Sequence, residues 1–226
     1  MDGLLLVDKP EGISSFGVVA RVRRIAYEVT DKKIKIGHTG TLDPAASGLL
    51  VLVIGTYTKK AGDFSKLDKT YLAELTLGVT SDTGDREGPL RAQGNNRPTK
   101  KAVEAILRAF EGEIHQIPPI HSAVKINGQR AYKLARKGRT VKLEPRKVTI
   151  HKITDIQYEY PKIWFKTRVS SGTYIRTLAE DIGEKLGTGA YLSALRRSRV
   201  GKFDIKDAVE LARLDAGALE ARLVKG

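Results

Sequence analysis

Residues 49 to 55 read LLVLVIG and residues 3 to 7 read GLLLV, two runs without a single charge. Both are far shorter than the ~18 apolar residues of a membrane span, so they read as buried strands. A chain that must enclose two such strands needs a packed sheet with other elements against it. The segment entering the longer run is GHTGTLDPAASG, residues 37 to 48, and it holds one acid, Asp43, with no basic residue beside it. A lone Asp in a Gly-Pro loop is most often a turn former, its carboxylate bonding local backbone N–H groups. Here the loop is tight and feeds a buried strand, which makes it a rigid support for an exposed side chain.

The remaining pattern fills in the sheet and its cover. Ser14 or Ser15 can cap a helix in which Val18, Val19, Val22, Ile25 and Ala26 form one stripe. In TYLAELTLG, Tyr71, Ala73, Leu75 and Leu77 alternate with Leu72, Glu74 and Thr76, the mark of a half-buried strand. Residues 81 to 98 are polar and Gly-rich and read as a mobile loop. Thr99 caps a helix with Val103, Ile106, Leu107 and Phe110 inward and Gly112 at its end. Residues 148 to 156 and 162 to 170 are strand-like and bracket a turn at Pro161. Ile175, Leu178, Ala179, Ile182 and Leu186 share a helix face that ends at Gly187, and a last amphipathic segment covers about 205 to 223. Strands and helices alternate irregularly. That predicts an α+β fold: a mixed, largely antiparallel sheet flanked by helices, rather than a doubly wound sheet.

Charge narrows the partners. The 226 residues carry 40 Lys+Arg against 26 Asp+Glu, a formal net charge of +14, which favours a polyanion, nucleic acid first. The positive charge is clustered. From Lys125 to Lys152 there are ten Lys or Arg, Lys125, Arg130, Lys133, Arg136 and Arg146 among them, and one acid, Glu144. A one-signed stretch with Tyr132 interleaved suits a surface laid along phosphates. Charge alone does not separate RNA from DNA. The absence of cysteine removes disulfides, thiol nucleophiles and thiolate zinc sites, and the four histidines lack HxxxH spacing, so no metal is expected. With no signal-peptide form and no spanning run, the chain is expected to be cytoplasmic, with no membrane partner. A glycosidase would want two comparable carboxylates, and no second acid has a setting like that of Asp43. What is left is a carboxylate held ionised by a guanidinium, with tyrosines for a flat substrate. Tyr71 heads its strand in KTYLAEL, and Tyr174 and Arg176 open a helix in SSGTYIRTLAEDIG.

These residues carry a resemblance. GHTGTLDPAASGLL resembles the catalytic motif of pseudouridine synthases, specifically the bacterial enzymes that modify the TΨC loop of tRNA. LLLVDKPEGISSF, DKTYLAELTLGVTSDTGDREG, PPIHSAVKINGQRAYKLARKG and SSGTYIRTLAEDIGEKLGTGAYLSALRR resemble, in order, the family's Lys-Pro motif, tyrosine motif, RNA-gripping insertion and C-terminal active-site segment. Ser47 stands where the family commonly has Thr. The resemblance implies the pseudouridine synthase fold, with residues 1 to 226 as a single catalytic domain and an RNA-binding insertion at about 118 to 147. No separate C-terminal RNA-binding domain is evident, since the chain ends at Gly226. It further implies that the chain isomerises uridine 55 of the TΨC loop after flipping the base, with no cofactor and no metal. Asp43 would be the catalytic aspartate, attacking C1′ or taking a proton from C2′. Tyr71 would stack on the flipped uracil, and Arg176 would pair with Asp43 and hold it ionised. Tyr174 and Leu195 would line the pocket, His38 would fill the space the base vacates, and Lys9 with Pro10 would support the pocket floor. Lys125, Arg130, Lys133, Arg136 and Arg146 would contact the RNA backbone. The partner is tRNA, and a monomer is expected. Two competing readings are a guide-dependent synthase of the ribonucleoprotein type and a non-catalytic RNA-binding or chaperone module.

Overall fold

The computed structural model describes residues 1–120, 122, 125–126, 129–130 and 143–225. The chain falls into two compact units, one formed by Met1–Leu72 and the chain from Leu195 onward, the other by Ala73–Ala194. Among the described residues no helix is long and apolar enough to cross a membrane.

The first unit is built on the two apolar runs. They form β1 (Gly3–Lys9) and β3 (Ser47–Ile54), which pair antiparallel along their length, from Gly3 opposite Ile54 to Lys9 opposite Gly48. α1 (Ser15–Thr30) crosses one face, and a short α2 (Ala61–Ser65) comes after β3 in the chain. Ser14 caps it by accepting from the Gly17 N–H, and Val18, Val19, Val22, Ile25 and Ala26 are all buried. These side chains meet Leu5, Val7, Leu50, Leu52 and Ile54. The intervening residues Leu4, Leu6, Leu49, Val51 and Val53 pack on the other face with Val200 and Phe203. Burial on both faces is why these strands read as unbroken apolar runs, each fully buried aliphatic side chain contributing about 1.5–3 kcal/mol.

The opposite edge of β3 is shared. β2 (Ile36–His38) pairs antiparallel with it, Ile36 opposite Ile54 and His38 opposite Leu52. β12 (Ala190–Val200) pairs parallel with its start, Arg196 opposite Ser47 and Arg197 opposite Gly48. β12 comes so close there that a Cβ on Gly48, whose φ is +108°, would lie 2.3 Å from the Arg197 carbonyl oxygen. The glycine is therefore required by both conformation and contact. Beyond β12, β13 (Phe203–Asp204), β14 (Val209–Glu210), the short helix α5 (Ala216–Ala221) and β15 (Leu223–Val224) finish the unit. β14 runs parallel to β1 and β15 antiparallel to it. The expected amphipathic segment over 205 to 223 is thus a string of short elements, because 3₁₀ turns at Ile205–Asp207 and Leu211–Arg213 break it.

The second unit carries the late hairpin as expected. β10 (Arg146–Glu159) and β11 (Lys162–Val169) pair antiparallel across Pro161. β4 (Lys69–Leu77) alternates buried and less buried residues as its sequence predicts. α3 (Lys100–Ala109) is capped by Thr99, but only Val103 and Leu107 of its stripe are fully buried. Gly112 does not end that helix. It opens β7 (Gly112–Gln116), an edge strand antiparallel to β10, with φ +110° at its first residue. The polar segment after β4 is more ordered than a mobile loop, since β5 (Val79–Ser81) and β6 (Leu90–Ala92) pair within it. β8 (Lys125–Ile126) and β9 (Gln129–Arg130) form a two-stranded ribbon. α4 (Ile175–Lys185) buries Ile175, Leu178, Ala179 and Ile182. The sheet is mixed and largely antiparallel with helices against it, as the α+β reading expects.

Candidate active site

Asp43 lies in the first unit, half-buried on the loop between β2 and β3. Every backbone carbonyl from Gly40 to Pro44 accepts a hydrogen bond from the protein. Arg197 donates from Nη2 to the Gly40 oxygen at 3.0 Å and from Nη1 to the Thr41 oxygen at 3.4 Å. Ser15 Oγ donates to the Leu42 oxygen at 2.8 Å and accepts from the Leu42 N–H at 2.8 Å. The Asp43 oxygen accepts from Ala46 N at 3.0 Å. The Pro44 oxygen accepts from Gly12 N at 2.9 Å and from Lys9 Nζ at 3.4 Å. Between the parts of the β3 edge taken by β2 and β12, Thr39 N donates to Val51 O at 3.1 Å and Arg197 Nε donates to Leu49 O at 2.8 Å. The loop is thereby fixed at five successive peptides, the preorganisation a reacting side chain needs.

Arg197 makes three of these bonds. It is 2% exposed, and its guanidinium lies on carbonyl oxygens of Gly40, Thr41 and Leu49. Beside it, Lys69 is also buried and donates to the Ser65 and Leu67 oxygens at 2.5 and 2.6 Å. Burial first, and the Arg197 charge second, lower the Lys69 pKa to about 8. Since the unfolded lysine titrates near 10.5, the unfolded chain binds the extra proton between these values, so this group adds stability as pH rises through them. Wild type should therefore gain stability over Lys69→Met as pH rises from about 8 toward 10.5, with a constant difference at lower pH. Urea unfolding of both chains across that range checks this, and parallel profiles throughout would contradict it.

The other expected site residues of this unit are distributed around the same strands. Lys9, with no exposed surface, donates to the Pro10 and Ile13 oxygens at 2.8 Å each as well as to Pro44. It braces the loop at the Pro44 carbonyl. His38 is half-buried at the end of β2, Tyr71 is 8% exposed on β4, and Leu195 is half-buried on β12.

Tyr174 and Arg176 belong to the second unit. Tyr174 precedes α4 and is held by a reciprocal amide pair with the buried Gln116. Tyr174 N donates to Gln116 Oε1 at 3.0 Å, and Gln116 Nε2 donates back to the Tyr174 oxygen at 3.3 Å. Arg176 is 7% exposed; Nη1 donates to the Thr83 oxygen at 3.0 Å and lies 3.5 Å from Asp85 Oδ2. Asp85 is itself buried, and its Oδ1 accepts from Thr83 Oγ1 at 2.6 Å and Glu87 N at 3.0 Å. Between them Gly84, at φ +73°, approaches so closely that a Cβ would lie 3.3 Å from Arg176 Cβ and 2.9 Å from Glu180 Oε1. Asp85 is a buried acid that the sequence pattern concealed inside a polar Gly-rich stretch. Gln116 and Arg197 carry no local sign of their contacts, and the sequence offers Ser15 only as a candidate helix cap.

Of the expected RNA contacts, Arg146 is exposed at the start of β10, and Lys125 and Arg130 face each other in backbone register on β8 and β9. Lys133 and Arg136 lie outside the described residues.

Comparison with known proteins shows the family. Residues 24–175 match the model of the TruB family pseudouridylate synthase N-terminal domain, and residues 176–223 match that of the tRNA pseudouridylate synthase B C-terminal domain. A tRNA pseudouridine synthase B of Clostridium kluyveri is 46% identical over 217 residues, covering 96% of this chain and 73% of the relative. One of Burkholderia pseudomallei is 47% identical over 222 residues, covering 98% and 72%. Among solved structures, a Cbf5-Nop10-Gar1 complex superposes at a TM-score of 0.72 with 30% identity, covering 94% of this chain and 53% of the other. An H/ACA RNP bound to a substrate RNA follows at 0.69 and 28%, covering 94% and 52%. The chain spans about half the length of these two solved chains. It belongs to the TruB family of pseudouridylate synthases.

Proposed function

We infer that this chain isomerises uridine 55 in the TΨC loop of tRNA to pseudouridine, as a cytoplasmic monomer that takes the stem-loop of its substrate without a guide RNA. The observation that carries this reading is the Asp43 loop, a single carboxylate on a backbone fixed at every carbonyl from Gly40 to Pro44. Family membership supplies the reaction. In it the N1–C1′ bond of uridine breaks, the base turns, and a C5–C1′ bond forms. C5 loses its proton and N1 gains one, so no atom is lost overall. Whether the carboxylate attacks C1′ or removes a C2′ proton, it must be ionised at the outset. The reading gives Asp43 that role, Arg176 the charge that keeps it ionised, and Tyr71 the stacking face for the flipped base. A base in a folded loop costs a few kcal/mol to extrude, and one aromatic stack returns ~1–3 kcal/mol. His38, Tyr174 and Leu195 would shape the pocket, and Lys125, Arg130, Lys133, Arg136 and Arg146 would meet the RNA backbone.

The guide-dependent reading is weaker, because the bacterial synthases match at 46–47% identity and the ribonucleoprotein enzymes at 28–30%. Incubation of purified chain with unmodified tRNA transcript alone tests the choice. Carbodiimide labelling followed by primer extension should then stop at position 55. No stop without added guide RNA or protein would favour the other reading.

The role of Arg176 is tested through pH. A guanidinium beside an Asp lowers its pKa by roughly 1–3 units. Stability contributed by such a depressed carboxylate is present above its unfolded pKa and lost as pH falls through the folded one; activity that needs the anion follows the same direction. Removing Arg176 alone would strand the buried Asp85, at a cost of about 3–5 kcal/mol. The suitable variant is therefore Arg176→Met with Asp85→Asn. Its acid limb in the pH–rate profile should move up by at least about one unit. An unmoved limb with a lower plateau would show that Arg176 does not govern the ionisation of Asp43.

A further inference from the structure

The first unit holds a second feature, a cavity of about 870 Å³ beside α1 and β2. It is lined by Arg23, Arg24, Lys33 and Lys35, with Tyr27 and Ile34 contributing apolar surface, and no carboxylate lines it. Arg24 shares its charge with Glu28 at 3.9 Å, an exposed pair of little strength. Arg23, Lys33 and Lys35 have no carboxylate within ion-pair distance among the described residues. Arg23 is already positioned, donating from Nη2 to the Ile36 oxygen at 2.5 Å with its guanidinium 5.9 Å from the Phe16 ring. Tyr27 is 49% exposed. Like charges gathered around a concavity, with one exposed carboxylate paired to them, attract an anion. A volume within the usual ~300–1,000 Å³ of ligand sites, with an exposed ring, suits a nucleotide better than a flat lipid surface.

The position excludes the uridine under reaction. The cavity lies at Ile36, opposite Ile54, whereas the Asp43 loop enters β3 at Ser47. Seven steps of strand at ~3.3 Å each separate the two, roughly 23 Å.

We propose that this groove is a second tRNA contact, binding backbone phosphates of the substrate through Lys33, Lys35 and Arg23, with one unpaired base stacked on Tyr27, away from the uridine being isomerised. The proposal rests on the tRNA-isomerase reading and extends it. A contact here would hold the body of the tRNA while the loop is worked on, so it should affect binding and leave the chemical step alone.

The test measures binding of a full-length tRNA transcript to wild type, Lys33→Gln/Lys35→Gln and Tyr27→Ala across a salt series. Single-turnover isomerisation at saturating enzyme is measured alongside. Each phosphate contact gives about −0.7 to −0.9 in the log–log salt slope, so the double variant should lose about 1.4–1.8 of slope. It should bind about tenfold or more weakly at 0.1 M salt, while its saturated rate stays within about twofold. Tyr27→Ala should weaken binding about fivefold or more with the slope unchanged, because no charge is removed. Wild-type affinity and slope in both variants would overturn the proposal, and a lost slope with no Tyr27 effect would overturn the stacked base. A chain that binds with the expected slopes but isomerises no tRNA would overturn the function reading and leave the groove in place.

Discussion

Asp43→Asn will bind tRNA within about threefold of wild type and isomerise it roughly 10⁴-fold more slowly or worse, the scale of loss when a reacting group is removed. The substitution keeps size and shape and changes only charge and one donor. Arg197, Ser15, Lys9, Gly12 and Ala46 all fix the loop through its backbone atoms, which the substitution leaves in place. The loop should therefore hold its course with an amide at its tip. Single-turnover conversion and filter binding on the same preparations separate the two effects. Conversion near the wild-type rate would make Asp43 a turn former and would place the reacting group elsewhere in the chain.

Arg197→Met should be the most damaging substitution away from the reacting atoms. It strips donors from three carbonyls, those of Gly40, Thr41 and Leu49, around a side chain that is 2% exposed. An unsatisfied buried polar group costs ~1–3 kcal/mol, so the loss should be about 3 kcal/mol or more. Displacing the loop by even ~1 Å can cost on the order of 10²-fold in rate. We expect that loss in kcat with KM little changed, measured at a temperature where circular dichroism shows the variant folded. Arg197→Lys keeps the charge and a donor and should recover part of the rate. Full activity in folded Arg197→Met would mean that the loop does not need its clamp.

What could be read in advance was what local pattern determines. The two apolar runs, the Val18-to-Ala26 stripe, the Thr99 cap and the hairpin about Pro161 each depend on residues within one segment, and each is present. Gly112 misled because a glycine that ends a helix and one that starts a strand at positive φ look alike in sequence; the choice was made by β10, which gives β7 an edge to pair with. Arg197 in LRRSRVG has the local signature of an exposed strand cation. It is buried only because its acceptors, 148 to 157 residues away in the chain, converge on it. Asp85 was hidden likewise, since its partner Arg176 enters from a helix far along the sequence. The Asp43 loop stood out in the sequence as a candidate because its own composition is peculiar; the side chains that support its backbone did not, because nothing local distinguishes them.

The central claim is that this chain moves the glycosidic bond of one tRNA uridine from N1 to C5, a change that must expel the proton on C5. The most direct measurement is tritium release from unmodified tRNA transcript labelled at C5 of uridine, using the wild-type chain alone. The account predicts release approaching one tritium per tRNA, abolished when uridine 55 is replaced by cytidine. No release from any tRNA, or release that persists with cytidine at that position, would contradict it.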